Sequence, residues 1–147
     1  MKKVRSIIIF IVCVCLLTAC SVNTYMSFVF NVETGDQIKV KLTTSEGHSL
    51  SSDVPFAVSK DDKVLSQGKF IYRETIEKYE AKIKSNKNAL LLDSGKKDGN
   101  DFLFWKLDNE YNHVILVDET NTAIVLFNNI SKESAEKCFN LLEFEKS

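Results

Sequence analysis

Little in this sequence breaks, staples or basifies the chain. One proline and five glycines in 147 residues, with no repeat or low-complexity tract, exclude collagen-like and disordered classes. His48 and His113 are its two histidines, and no H-E-x-x-H or C-x-x-C frame is present for zinc. A G-x-S-x-G elbow, a P-loop and a dinucleotide fingerprint are also missing. The longest apolar run, Ile7 to Leu17, has eleven residues, against the roughly 20 needed to cross a hydrocarbon core.

Lys2, Lys3 and Arg5 precede that run, and Thr18, Ala19 and Cys20 follow it. A charged start, an apolar core of about 7–15 residues and a small-residue end are the three parts of a secretory signal. Leu17-Thr18-Ala19-Cys20 resembles the lipobox of bacterial lipoprotein precursors. The resemblance implies that the Cys20 thiol takes a diacylglyceryl group in thioether linkage and that cleavage follows Ala19. Two acyl chains anchor a protein stably where one holds it marginally. The expected organisation is residues 1–19 as signal peptide, 20–25 as lipidated N-terminus and short tether, and 26–147 as a single globular domain. The expected location is extracytoplasmic, lipid-anchored to the cell membrane. In a cell with two membranes, Ser21, which is not aspartate, implies that outer-membrane sorting is permitted.

Removing Lys2, Lys3 and Arg5 from 19 basic residues leaves 16 against 20 acidic ones, a balance of −4. That sign is wrong for a phosphate backbone, so no nucleic-acid partner is expected. Cys13 and Cys15 leave with the signal and Cys20 is modified, so Cys138 stands alone and no internal disulfide can form.

Period-2 patterns dominate the rest. Met26, Phe28, Phe30 and Val32 alternate, as do Ile38, Val40 and Leu42 beyond the Thr34-Gly35-Asp36 turn, which predicts an opening hairpin. Glu46 to Asp53 reads as a loop. Val54, Phe56 and Val58 predict a short strand, with Pro55 suited to an edge. Val64-Leu65 and Phe70-Ile71-Tyr72 flank an expected bend at Gln67-Gly68. Ile76, Tyr79 and Ile83 predict an amphipathic helix over Glu74 to Lys84. Ala89 to Leu92 reads as a strand and Ser94 to Asn100 as a glycine-bearing turn. Phe102 and Phe104 face one way and Leu103 and Trp105 the other, as in a central strand. His113 to Val117 and Ala123 to Phe127 predict two more strands. Ser131 as N-cap, Glu133 in the first turn and the stripe Ala135, Cys138, Phe139, Leu142 predict a closing helix with Cys138 in its buried face. The expected fold is α+β: one twisted antiparallel sheet packed with two helices.

Candidate chemistry is thin. His48 lies in the Gly/Ser loop and His113 at the head of a β run, and each reads as an ordinary surface or satisfied histidine rather than a general base. Asp93 to Asp101 invites a calcium test. With Gly99 as the sixth loop position, Ser94, Lys96, Asp98 and Trp105 fall where an EF-hand wants acids, so a hairpin turn is the better account. Cys138 reads as a small buried hydrophobe, since a reactive thiol wants exposure and positive surroundings. The 15 Phe, Tyr and Trp residues sit mostly at core spacing, although some of them can line a ligand groove. No catalytic residue, metal ligand or cofactor is assigned.

Val54-Pro55-Phe56, Gln67-Gly68-Lys69-Phe70-Ile71, Leu92-Asp93-Ser94-Gly95, Phe104-Trp105, Glu110-Tyr111-Asn112 and Ser134-Ala135-Glu136-Lys137-Cys138-Phe139 make residues 26–144 similar to small uncharacterised lipoproteins of gut-type Firmicutes. That resemblance implies no activity. A closing helix after a meander also resembles the Mog1/PsbP-like α+β folds, an analogy that carries no function. The expected function is a non-enzymatic, membrane-tethered binding or interaction module of the cell envelope, with an envelope protein or small ligand as partner. The alternatives are a small envelope hydrolase using His48 or His113, and an accessory subunit of an export or transport complex.

Overall fold

Alternating apolar residues build most of the fold. The structure, a computed structural model, describes residues 24–147. Among these residues the strands are β1 (Tyr25–Asn31), β2 (Gln37–Thr43), β3 (His48–Leu50), β4 (Phe56–Lys60), β5 (Lys63–Tyr72), β6 (Ala89–Lys97), β7 (Asn100–Leu107), β8 (Glu110–Leu116), β9 (Thr122–Asn128) and β10 (Leu142–Lys146). The helices are α1 (Ile76–Ser85) and α2 (Lys132–Leu141). The class is α+β with two helices, as expected.

The strands form two sheets rather than one. A three-stranded sheet runs β1-β2-β10, a seven-stranded sheet runs β3-β4-β5-β9-β8-β7-β6, and every pairing is antiparallel. The extra sheet exists because the closing helix stops at Leu141. Leu142 and Phe144 then alternate with Glu143 and Glu145 and pair with β2, where Lys41 and Lys39 meet the two glutamates at 3.0 and 2.9 Å. The small sheet and α2 close one face of the large sheet over a core that includes Phe30, Ile38, Val40, Leu42, Phe56, Ile124, Cys138 and Phe139. α1 covers part of the other face, over a smaller core of Ile83, Leu103, Val114, Leu116 and Ala123.

Several sequence expectations are corrected locally. The bend at Gln67-Gly68 is absent, and β5 runs unbroken through it. Gly68 is there for space: a Cβ on it would lie 2.1 Å from Cζ of the fully buried Phe56. Ser94 to Lys97 are strand, not turn, and the turn is only Asp98-Gly99, both at positive φ (51° and 86°), as a tight two-residue hairpin requires. β7 is second from the sheet edge rather than central. It is apolar on both faces because α2 and α1 flank it on opposite sides. His48 is not in an open loop but begins β3 and is buried.

Ser131 caps α2 as expected, and Thr75, inside the stretch read as helix, caps α1. Thr75 and Ser131 side chains accept from the backbone N–H of Lys78 and Ser134. The two sheets are also joined by Asp36 at the β1–β2 turn, whose carboxylate accepts from Thr122 Oγ1 at 2.8 Å, the Asn121 N–H at 2.8 Å and Thr34 Oγ1 at 3.1 Å. These hydrogen bonds, led by that from Thr122, hold the Asp36 carboxyl below the usual carboxylate range.

Candidate functional site

α1 is too small for the sheet beneath it. Ten residues make a helix about 15 Å long and about 10 Å wide, whereas seven strands spread over roughly 30 Å. Where the sheet is uncovered at β4, its outward residues are small or polar, Ala57 and Ser59. At β9 and β7 the corresponding positions carry Val125, Phe127, Trp105 and Leu107, all only part-buried. The result is a groove of about 320 Å³ between sheet and helix. Its floor is Ile71, Trp105, Val125 and Phe127, and its roof is Tyr79 and Ile83 of α1. That volume lies at the small end of ligand pockets, which are mainly apolar with a few placed polar groups.

The polar side chains here are Lys69, Lys82, Asn86 and Tyr79, and the charged ones are cationic. Lys69 and Lys82 are the charged residues lining the groove. Lys82 pairs with Glu74 at 2.5 Å, and this hydrogen bond raises its ammonium pKa. The Lys69 ammonium lies 5.0 Å from the centre of the Phe127 ring and has no ion-pair partner among the described residues. The Tyr79 hydroxyl donates to the Tyr72 carbonyl at 3.1 Å, and burial raises its phenol pKa.

A second groove, of about 440 Å³, lies across the sheet between α2 and the β6–β7 edge. His113 reaches it from a stack between Phe104 and Phe139, with ring centres 4.1 and 4.3 Å away and interplanar angles of 8° and 18°. Burial alone pushes the His113 pKa down to about 3, so the imidazole is neutral at ordinary pH. The residues beside it are Asp93, Lys97, Glu136 and Asn140, with no serine, threonine or cysteine hydroxyl or thiol among them.

The structure does not bring the two histidines together. His48 on β3 and His113 on β8 are four strand positions apart, about 19 Å. His48 Nδ1 is 2.5 Å from the Ser45 carbonyl oxygen, a structural contact closing the turn before β3. Cys138 is 1% exposed, and burial raises its thiol pKa against opposing hydrogen bonds with Ser66 and Ser134. Asp93 to Asp101 forms the turn end of the β6–β7 hairpin. No group of three or more His, Cys, Asp or Glu among the described residues is placed to hold a metal ion. Cys20, the signal segment and most of the tether lie outside the described residues. Among those described, no helix is long and apolar enough to cross a membrane.

The groove residues were read from sequence as core. The signal for a site was already in β9, which is apolar on both faces while the only helix available for its outer face has ten residues. No protein-family model, curated protein or solved structure matches the chain.

Proposed function

We propose that the protein is a non-enzymatic binding module, tethered outside the cytoplasmic membrane by lipid on Cys20, and that the groove beneath α1 is its binding site. One observation carries the binding site: an apolar patch on β7 and β9, left half-open by a short helix, with cationic side chains beside it. Exposed Val29 and Leu90 stand apart from any groove, while Val54 and Tyr72 line another apolar groove of about 340 Å³ whose charged residue is Glu33 and which has no lysine. The tether rests on the resemblance of Leu17-Thr18-Ala19-Cys20 to the lipobox. The Mog1/PsbP-like reading is proposed on the same footing, from a meander closed by a helix, and it brings no activity.

Trp105 is the sole tryptophan and lies on the groove floor, so its emission reports directly on occupancy. Protein purified from its own membranes should carry a bound species in native mass spectra, and stripping that species should shift Trp105 emission. Val125→Trp, which fills the groove, should abolish the bound species. Identical spectra for wild type and the filled variant, with no ligand fraction shifting Trp105, would overturn the reading.

A further inference from the structure

We infer that the occupant of this groove is a single-chain anionic amphiphile, an acyl chain ending in a carboxylate or phosphate. The inference rests on the binding reading above and deepens it. Charge complementarity carries it. Outside the signal the chain has a balance of −4, yet the charged residues lining the groove are both lysines and no carboxylate lines it. Lys82 is already neutralised by Glu74, whereas Lys69 is held at the rim above the Phe127 ring with no acid partner among the described residues. An exposed ammonium at the rim of an apolar trough favours a ligand with one charged end and one greasy end. The size fits one chain. Sheet and helix bound about 320 Å³, floored by Ile71, Trp105, Val125 and Phe127, and the Asn86 amide is the one neutral polar aliphatic side chain in the lining, which is few for a sugar or a peptide backbone.

The test uses the lipidated protein held in neutral phosphatidylcholine vesicles, with protein-free vesicles measuring partition of each probe. Decanoate, decyl phosphate, decanol and decyltrimethylammonium are titrated while Trp105 emission is followed. The anions should bind about tenfold more tightly than decanol, and decyltrimethylammonium more weakly still. Lys69→Gln should weaken decanoate binding roughly 3- to 5-fold and Lys69→Glu about tenfold, with decanol changed less than about twofold. Salt at about 0.5 M should narrow the gap between decanoate and decanol. Equal binding of decanol or the cation, or no loss in either Lys69 variant, overturns the anionic assignment and leaves the groove as a binding site. No Trp105 response to any of the four chains overturns the amphiphile, and the binding reading then stands or falls on the native mass spectra. Self-association in sedimentation that Phe127→Asp abolishes would show a second copy of this chain in the groove instead, and would overturn the inference.

Discussion

His113 shows how one residue couples packing to pH. Its ring fills a slot between Phe104 and Phe139, and the slot tolerates only the neutral form. In the unfolded chain the imidazole titrates near 6.5, and in the folded protein near 3. Between those values the unfolded state holds the extra proton, so stability is fully present above about pH 6.5 and is lost as pH falls towards 3. The loss is on the order of a few kcal/mol. Asp93, Lys97 and Glu136 line the same groove, but none of them offsets the burial of His113. Denaturant midpoints of wild type and His113→Phe, measured from pH 7.5 to 4, should converge on acidification, with the variant losing less; parallel curves would contradict the assignment. Cys138 makes a simpler case. Buried at 1% exposure and hydrogen-bonded with Ser66 and Ser134, it should label with a thiol reagent only at the rate of unfolding. Cys138→Ala should cost about 1 kcal/mol. Rapid labelling of the native protein would show that the site opens far more readily than the packing implies. The Cys138 burial was legible through its place in a helical stripe, whereas the slot around His113 needed Phe139 from α2, which the β run alone does not show.

At the scale of elements, β5 is the strand that joins the two meanders into one sheet, pairing with β4 on one side and β9 on the other. Its continuity depends on Gly68, which leaves room for the Phe56 ring in a cluster with Phe30, Phe70 and Phe144. Gly68→Ala should therefore destabilise by about 1–3 kcal/mol through overpacking. Trimming the ring in the double variant Gly68→Ala/Phe56→Leu should recover part of that loss, giving a coupling of at least about 0.5 kcal/mol in a double-mutant cycle. Simple additivity would mean that glycine serves the backbone here and not the ring. The same residue explains a limit of the sequence reading. Glycine within an alternating run signals either a turn or a close approach, and only the partner, twelve residues away on β4, decides which. The opening hairpin, both helices and the Ser131 cap were legible because their signals are local. β10 was not, because Leu142 continues the helical stripe while also starting the alternation Leu142, Phe144, and pairing with β2 a hundred residues earlier settles its state. The groove was hidden for a related reason. Val125, Phe127 and Trp105 look like core until the short reach of α1 across the sheet is known.

For the whole molecule, the question is how an acidic body with a cationic, apolar groove is held at its membrane. The proposed anchor is testable at once: Cys20→Ser should leave an unprocessed precursor, and intact mass identical to that of the wild type would remove the anchor. Sequence alone put the first strand at Met26. The structure starts β1 at Tyr25, and Thr24 is already bound to Thr44, carbonyl to N–H at 2.9 Å and hydroxyl to hydroxyl at 2.7 Å. Only Ser21, Val22 and Asn23 would then separate Cys20, the proposed lipid site, from the paired sheet. Three residues reach at most about 11 Å, too little to carry the domain through a thick wall. A balance of −4 works against adhesion to anionic lipid, so the body should hover beside the surface rather than lie flat on it. Energy transfer from a probe on the α1 face to a dye in the bilayer should report a distance set by the domain's own dimensions plus this short span. Inserting ten Gly/Ser residues after Ser21 makes a tether of thirteen, with an r.m.s. reach of about 20 Å. Transfer should fall accordingly, and further at low salt in anionic vesicles than in neutral ones. Transfer that ignores the insertion would mean that a surface of the domain, and not the tether, fixes it to the membrane.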